Sequence, residues 1–128
     1  MMPLLPFRGI ALICGAMAVS SCVLGPSDTE SCQTYANWGV AVEVRDSLSM
    51  EPAVLGAILE IVDGTYRETV RGEFPGQIEL LGATERDGTY HLIISKPGYV
   101  DWVVSDVVVK QYGCHVRTVR LRALLAPL

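Results

Sequence analysis

The chain has 128 residues, enough for one domain, and its 14 acidic residues outnumber its 10 basic ones for a net charge of −4. That balance excludes the basic face with which a nucleic-acid binder meets phosphates, and it offers no electrostatic pull toward anionic lipid. Twelve glycines and seven prolines in a valine-rich body without helical period point to short strands joined by turns.

The first residues read as an address. Arg8 is the only charge before an uncharged apolar run at 9–19. The run is shorter than the roughly 20 residues of a bilayer span and fits the apolar core of a secretory signal. It ends in Val19-Ser20-Ser21-Cys22. An aliphatic residue, two small residues and a cysteine resemble the lipobox of bacterial lipoproteins. The resemblance implies cleavage after Ser21, a diacylglycerol on the Cys22 sulfur and a membrane anchor there. The same layout also reads as an ordinary secretory signal cut near Ala18 or Ser21. Residue 23 is Val rather than Asp, so the inner-membrane retention signal of enteric lipoproteins is absent, and the outer membrane of the cell envelope is the expected location.

Of the four cysteines, Cys14 leaves with the signal, and Cys22, Cys32 and Cys114 remain. An odd number leaves one thiol to explain. With lipid on Cys22, Cys32 and Cys114 become an even pair in an oxidising compartment, where a disulfide is expected. It would close most of the mature chain into one loop, worth about 4 kcal/mol of chain entropy. Cys114 and His115 are adjacent and lack zinc-ligand spacing, so neither metal nor cofactor is expected. The organisation is thus a signal peptide at 1–21, a lipidated N-terminus and polar tether at 22–37, and a folded domain at 38–128. Cys32 pins the end of the tether to the domain.

Within the domain, residues 40–45 alternate valines with Ala41, Glu43 and Arg45 and give a first strand. Residues 46–52 read as a loop, and 47–55 have room for a turn. Residues 57–62 form the next strand, ending at Asp63-Gly64, and 66–71 return as a hairpin with a mixed, exposed edge. Residues 77–82 form another strand. Asp87-Gly88 reads as a tight turn, followed by a strand over 89–95 with Tyr90, Leu92 and Ile94 on one face. Pro97-Gly98 reads as a type II turn. The apolar stretch 102–110 is interrupted at Ser105-Asp106, where a bulge or break is expected. Residues 116–125 form the last strand. Asp-Gly-Thr-Tyr occurs at both 63–66 and 87–90 without similar flanks, which reads as two independent turns. About seven short strands at this spacing predict an all-β fold, an antiparallel β-sandwich.

Gly39-Val40-Ala41-Val42-Glu43-Val44-Arg45-Asp46, Gly56-Ala57-Ile58-Leu59-Glu60-Ile61, Asp87-Gly88-Thr89-Tyr90 and Lys96-Pro97-Gly98-Tyr99 resemble the carboxypeptidase regulatory-like domains, over residues 38–123. The resemblance implies a transthyretin-like (prealbumin-like) sandwich and a non-catalytic accessory, adhesion or binding role, with no particular ligand. The run from Gly82 to Tyr90 with Cys114-His115-Val116 looks like a subgroup found in bacterial lipoproteins. Transthyretin-related hydrolases end in Tyr-Arg-Gly-Ser, whereas this chain ends Arg122-Ala123-Leu124-Leu125-Ala126-Pro127-Leu128. Collagen-adhesin repeats form an isopeptide bond from a first-strand lysine, and the only lysines here are Lys96 and Lys110. Neither chemistry is expected.

The sequence also lacks a G-x-S-x-G elbow, a cysteine left for nucleophilic work and a phosphate loop, so no enzyme is expected. His91 falls in the polar phase of its strand and reads as exposed. His115, beside the disulfide, reads as a hydrogen-bonding structural residue. Glu85-Arg86-Asp87 reads as a local ion pair and turn cap. Trp102, Tyr99 and Trp38, with Tyr112, are the candidate ligand contacts: an aromatic platform for sugar, or lids on the core. The expected partners are the membrane, through Cys22, and an unknown envelope protein or glycan, with no nucleic acid. The alternative is a structural spacer or assembly subunit whose partner covers the 66–71 edge, and a hydrolase dependent on His91 is the remaining reading.

Overall fold

A computed structural model describes Cys32 and residues 34–128. The signal at 1–21, the lipidation expected at Cys22 and the first part of the tether lie outside the described residues. Among the described residues there is no helix, and therefore none long and apolar enough to cross a membrane.

The period-two valines of β1 (Val40–Asp46) place Val40, Val42 and Val44 inward and make it the centre of a three-stranded sheet. It pairs antiparallel with β4 (Glu79–Gly82) and parallel with β9 (Val119–Leu125), with Val40 opposite Val119. Facing it is an antiparallel sheet in the order β3 (Tyr66–Arg71), β2 (Ile58–Asp63), β5 (Gly88–Ser95) and β6 (Trp102–Val109). A small hairpin of β7 (Gln111–Tyr112) and β8 (His115–Val116) links β6 to β9. The expected all-β sandwich is therefore present. The difference is the direction of one pair: β9 enters beside β1 in parallel. Alternation in the sequence assigns faces, and it carries no information on strand direction.

The core lies between the two sheets. Leu59 and Ile61 of β2, Leu80 of β4, Tyr90, Leu92 and Ile94 of β5, and Ala123 and Leu125 of β9 are buried against the valines of β1. Each fully buried aliphatic or aromatic side chain contributes roughly 1.5–3 kcal/mol of transfer free energy. Among the described residues, no polar or charged residue is fully buried.

The turns decide where the strands end. β2 and β3 are joined by Gly64-Thr65, with Gly64 at φ 57° and Asp63 opposite Tyr66. A positive φ at the first central residue alone is the type II′ pattern, whose twist suits a two-residue hairpin. Tyr99 N donates to Lys96 O across Pro97-Gly98, and Gly98 has φ 86°, the expected type II turn. The expected interruption in β6 is a β-bulge: Leu92 pairs with Val104 and Tyr90 with Val107, leaving Ser105 and Asp106 together opposite His91.

Asp87-Gly88 is not the turn that the sequence suggests. Gly88 is the first residue of β5, opposite Val109. The reversal falls on Ala83-Thr84-Glu85-Arg86, where Arg86 N donates to Ala83 O and both Ala83 and Glu85 have positive φ. Gly88 takes φ 158° there, and a Cβ on it would meet the Asp63 carboxylate, which would have to shift. The two Asp-Gly-Thr-Tyr segments are not independent either. Arg86 Nη1 donates to Asp63 Oδ2 and to Tyr90 Oη, both at 3.0 Å, and its guanidinium lies 3.8 Å from the Tyr66 ring centroid. Tyr66 and Tyr90 meet edge to face at 6.4 Å. The two copies converge on one arginine because β2 and β5 are neighbours.

Candidate functional site

β1 gives the sandwich two poles. At its Val40 end the chain entering the domain is fastened in several ways. Cys32 and Cys114 form the expected disulfide, with their Cα atoms 5.5 Å apart. Cys114 stands at the tip of the β7–β8 hairpin, where Gly113 takes φ 62°. The Tyr35 ring stacks on His115 at 4.6 Å. Glu85 collects the rest: its carboxylate accepts from the amides of Asn37 and Val116 and meets His115 Nδ1 at 2.7 Å. Asn37 Nδ2 donates to Val116 O, and Glu85 N to Asn37 O. His115 is thus the hydrogen-bonding residue expected. Its Nε2 is buried without a partner, so the ring proton belongs on Nδ1, facing the carboxylate.

The Asn37 amide, with help from His115 and Val116, holds the Glu85 carboxyl below its ordinary 4.5. A carboxylate whose folded pKa is depressed adds stability above the unfolded value, and loses it as pH falls through the folded value. Acidification below about pH 4.5 is therefore expected to release residues 34–37. The protection of the Asn37 and Val116 amides, their exchange measured against the intrinsic rate at each pH, should fall there in the wild type. In Glu85→Gln, protection at both should be low already at neutral pH and should not change through this acid range.

The aromatic candidates divide between the poles. Trp38 is exposed and immediately precedes β1 at its Val40 end. Tyr99 lies at the other end, where its hydroxyl donates to Asp46 Oδ2 at 2.7 Å and so has its pKa raised. The seven residues of β1 separate these two by about 20 Å, so no platform joins all three. Trp102, opposite Ile94, is half-buried and packs on the core. It shares the Tyr99 end. Tyr112 sits on the disulfide hairpin, under the Arg117 guanidinium at 4.4 Å.

The Asp46 pole has a feature that the sequence analysis did not single out. Ser47 N donates to Leu125 O, Val100 N to Ala126 O, Leu128 N to Gly98 O and Gly56 N to Gly72 O. These bonds, with Lys96 Nζ on Ala53 O, tie three loops and the C-terminal segment together. Their apolar side chains point out: Leu48 is 81% exposed, Phe74 67% and Leu128 88%, with Leu55, Met50 and Val100 also exposed. The signal was available in principle, since these apolar residues fall outside the alternating segments. Loop assignment alone could not show that they share one end.

On the outer face of the four-stranded sheet, His91 Nδ1 lies 2.7 Å from Ser105 Oγ at the bulge, in an open depression of about 300 Å³. Cys114 has its sulfur in the disulfide, and among the described residues no three histidine, cysteine or carboxylate side chains converge as metal ligands. No protein-family model matches the chain, and no curated protein matches it.

Proposed function

We propose that the chain is a lipid-anchored module of the bacterial cell envelope that contacts a protein partner through the loop pole remote from Cys32. The lipobox-like Val19-Ser20-Ser21-Cys22 and the resemblance to carboxypeptidase regulatory-like domains support the anchor and the accessory role. The observation that carries the reading is the gathering of Leu48, Leu55, Phe74, Val100 and Leu128, all exposed, at the end opposite the fastened N-terminal segment. A lipid on Cys22 holds the Cys32 pole toward the membrane, within about 35 Å for ten extended residues. The apolar loops then face away from it. Apolar clusters of this kind mark contact sites. Four of the five are aliphatic, which favours a protein over a sugar, which stacks on aromatic planes, and Trp38 lies too far away to join Phe74 in such a platform.

The test uses a photo-cross-linking residue placed in the full chain in cells. Positions 48 and 74 are expected to trap the same partner, while position 69 in the edge strand β3 traps none. Capture at 69 but not at 48 or 74 would favour the assembly-subunit reading instead. The anchor has a separate readout: label from a palmitate analogue is expected on the wild type and absent from Cys22→Ala. An unlabelled wild type overturns the anchor.

A further inference from the structure

The bulge in β6 places a serine and a histidine together in a way that partner contact at the loop pole does not use. His91 Nδ1 and Ser105 Oγ are 2.7 Å apart, the separation of a nucleophile and its base, and this is the hydrogen bond each side chain makes among the described residues. With the ring proton on Nε2, Nδ1 accepts from the hydroxyl. Ser105 is exposed on an edge strand, so an electrophile reaches it without any opening of the fold. Val62, Asp63, Thr89 and Asp106 complete the walls of the depression in front of it.

The backbone adds to this. Ser105 and Asp106 together oppose His91, so β6 carries one residue in excess at the hydroxyl. Asp106 has φ 58°, a left-handed conformation that is strained for a residue with a side chain and that clusters at functional positions.

We propose that Ser105 is an activated acyl acceptor with His91 as its base, taking an acyl group from an activated ester. The Oγ attacks the carbonyl carbon and the Oγ–H proton passes to Nδ1. The bond between that carbon and the ester oxygen breaks, and the alcohol leaves with the proton from Nδ1. An acyl-serine and a neutral imidazole result, with no change of oxidation state.

The probe is a biotinylated fluorophosphonate, which reacts by the same attack at phosphorus with loss of fluoride. Incubated with the full-length protein, it is expected to give one adduct, mapped by mass spectrometry to Ser105. The adduct should be absent from Ser105→Ala and form about 100-fold more slowly in His91→Gln, the usual contribution of a positioned base. Thermal melts check that both variants fold. If His91→Gln does not, His91→Ala supplied with free imidazole reports the same point, since only a lost base is restored by one in solution. No adduct, an adduct at Ser49 or Ser95 in place of Ser105, or an unchanged rate without His91 overturns the proposal. The loop-pole cross-links are unaffected by either variant, so this proposal and the binding role stand or fall separately.

Discussion

Replacing Cys32 and Cys114 together by serine is expected to lower the unfolding free energy by about 4 kcal/mol. The bond joins residues 82 positions apart, and a crosslink of that span removes much of the unfolded chain's freedom while leaving the sheets untouched. The folded protein loses order only locally. Tyr35 then has no covalent reason to stay on His115, and Asn37 depends on its hydrogen bonds to Glu85 and Val116. Denaturant unfolding of the double variant against the wild type gives the number, at a slope that should rise because the released unfolded chain is less compact and exposes more surface. A loss under about 1 kcal/mol would mean that the unfolded chain is already compact and gains little freedom on release.

The second large effect is expected at Tyr90. It is the largest fully buried side chain, and it serves both core and polar cluster. Its ring fills the space between the sheets, and its hydroxyl donates to Arg86 O at 2.7 Å while accepting from Arg86 Nη1. Tyr90→Ala removes the ring and is expected to cost about 4 kcal/mol, the usual range for emptying an aromatic site. Tyr90→Phe keeps the ring and is expected to cost about 1 kcal/mol, the net value of an ordinary hydrogen bond. Chemical denaturation of both variants separates packing from polar contact. Equal losses in the two would mean that the hydroxyl, through Arg86, holds the Ala83–Arg86 reversal in place.

What was legible in the sequence was what period and turn chemistry encode. Val40, Val42 and Val44 declared a face, Pro97-Gly98 declared a turn, and Ser105-Asp106 declared an interruption, because each follows from local sterics or polarity. Asp87-Gly88 misled for a related reason. Glycine is needed for positive φ and for close approach, and the residue type does not say which; here the neighbour is the Asp63 carboxylate, 25 residues earlier in the chain. The convergence of the two Asp-Gly-Thr-Tyr segments on Arg86, the His91–Ser105 pair and the apolar pole are all products of tertiary placement. They join residues whose separation in the chain carries no pattern. Cysteine parity succeeded over the longest range because it counts partners and needs no geometry.

The parallel pairing of β1 with β9 bears on when this protein can fold. Among the described residues the first strand takes its place beside the last, Val40 against Val119, so the smaller sheet has no finished form until Val119–Leu125 have been synthesised. Contacts of such separation also slow the search for the native state. A chain still emerging from the ribosome therefore stays loose, which is the condition in which a secretion channel can thread it. On the export route proposed above, the layout of the strands postpones closure of this sheet until β9 has crossed as well.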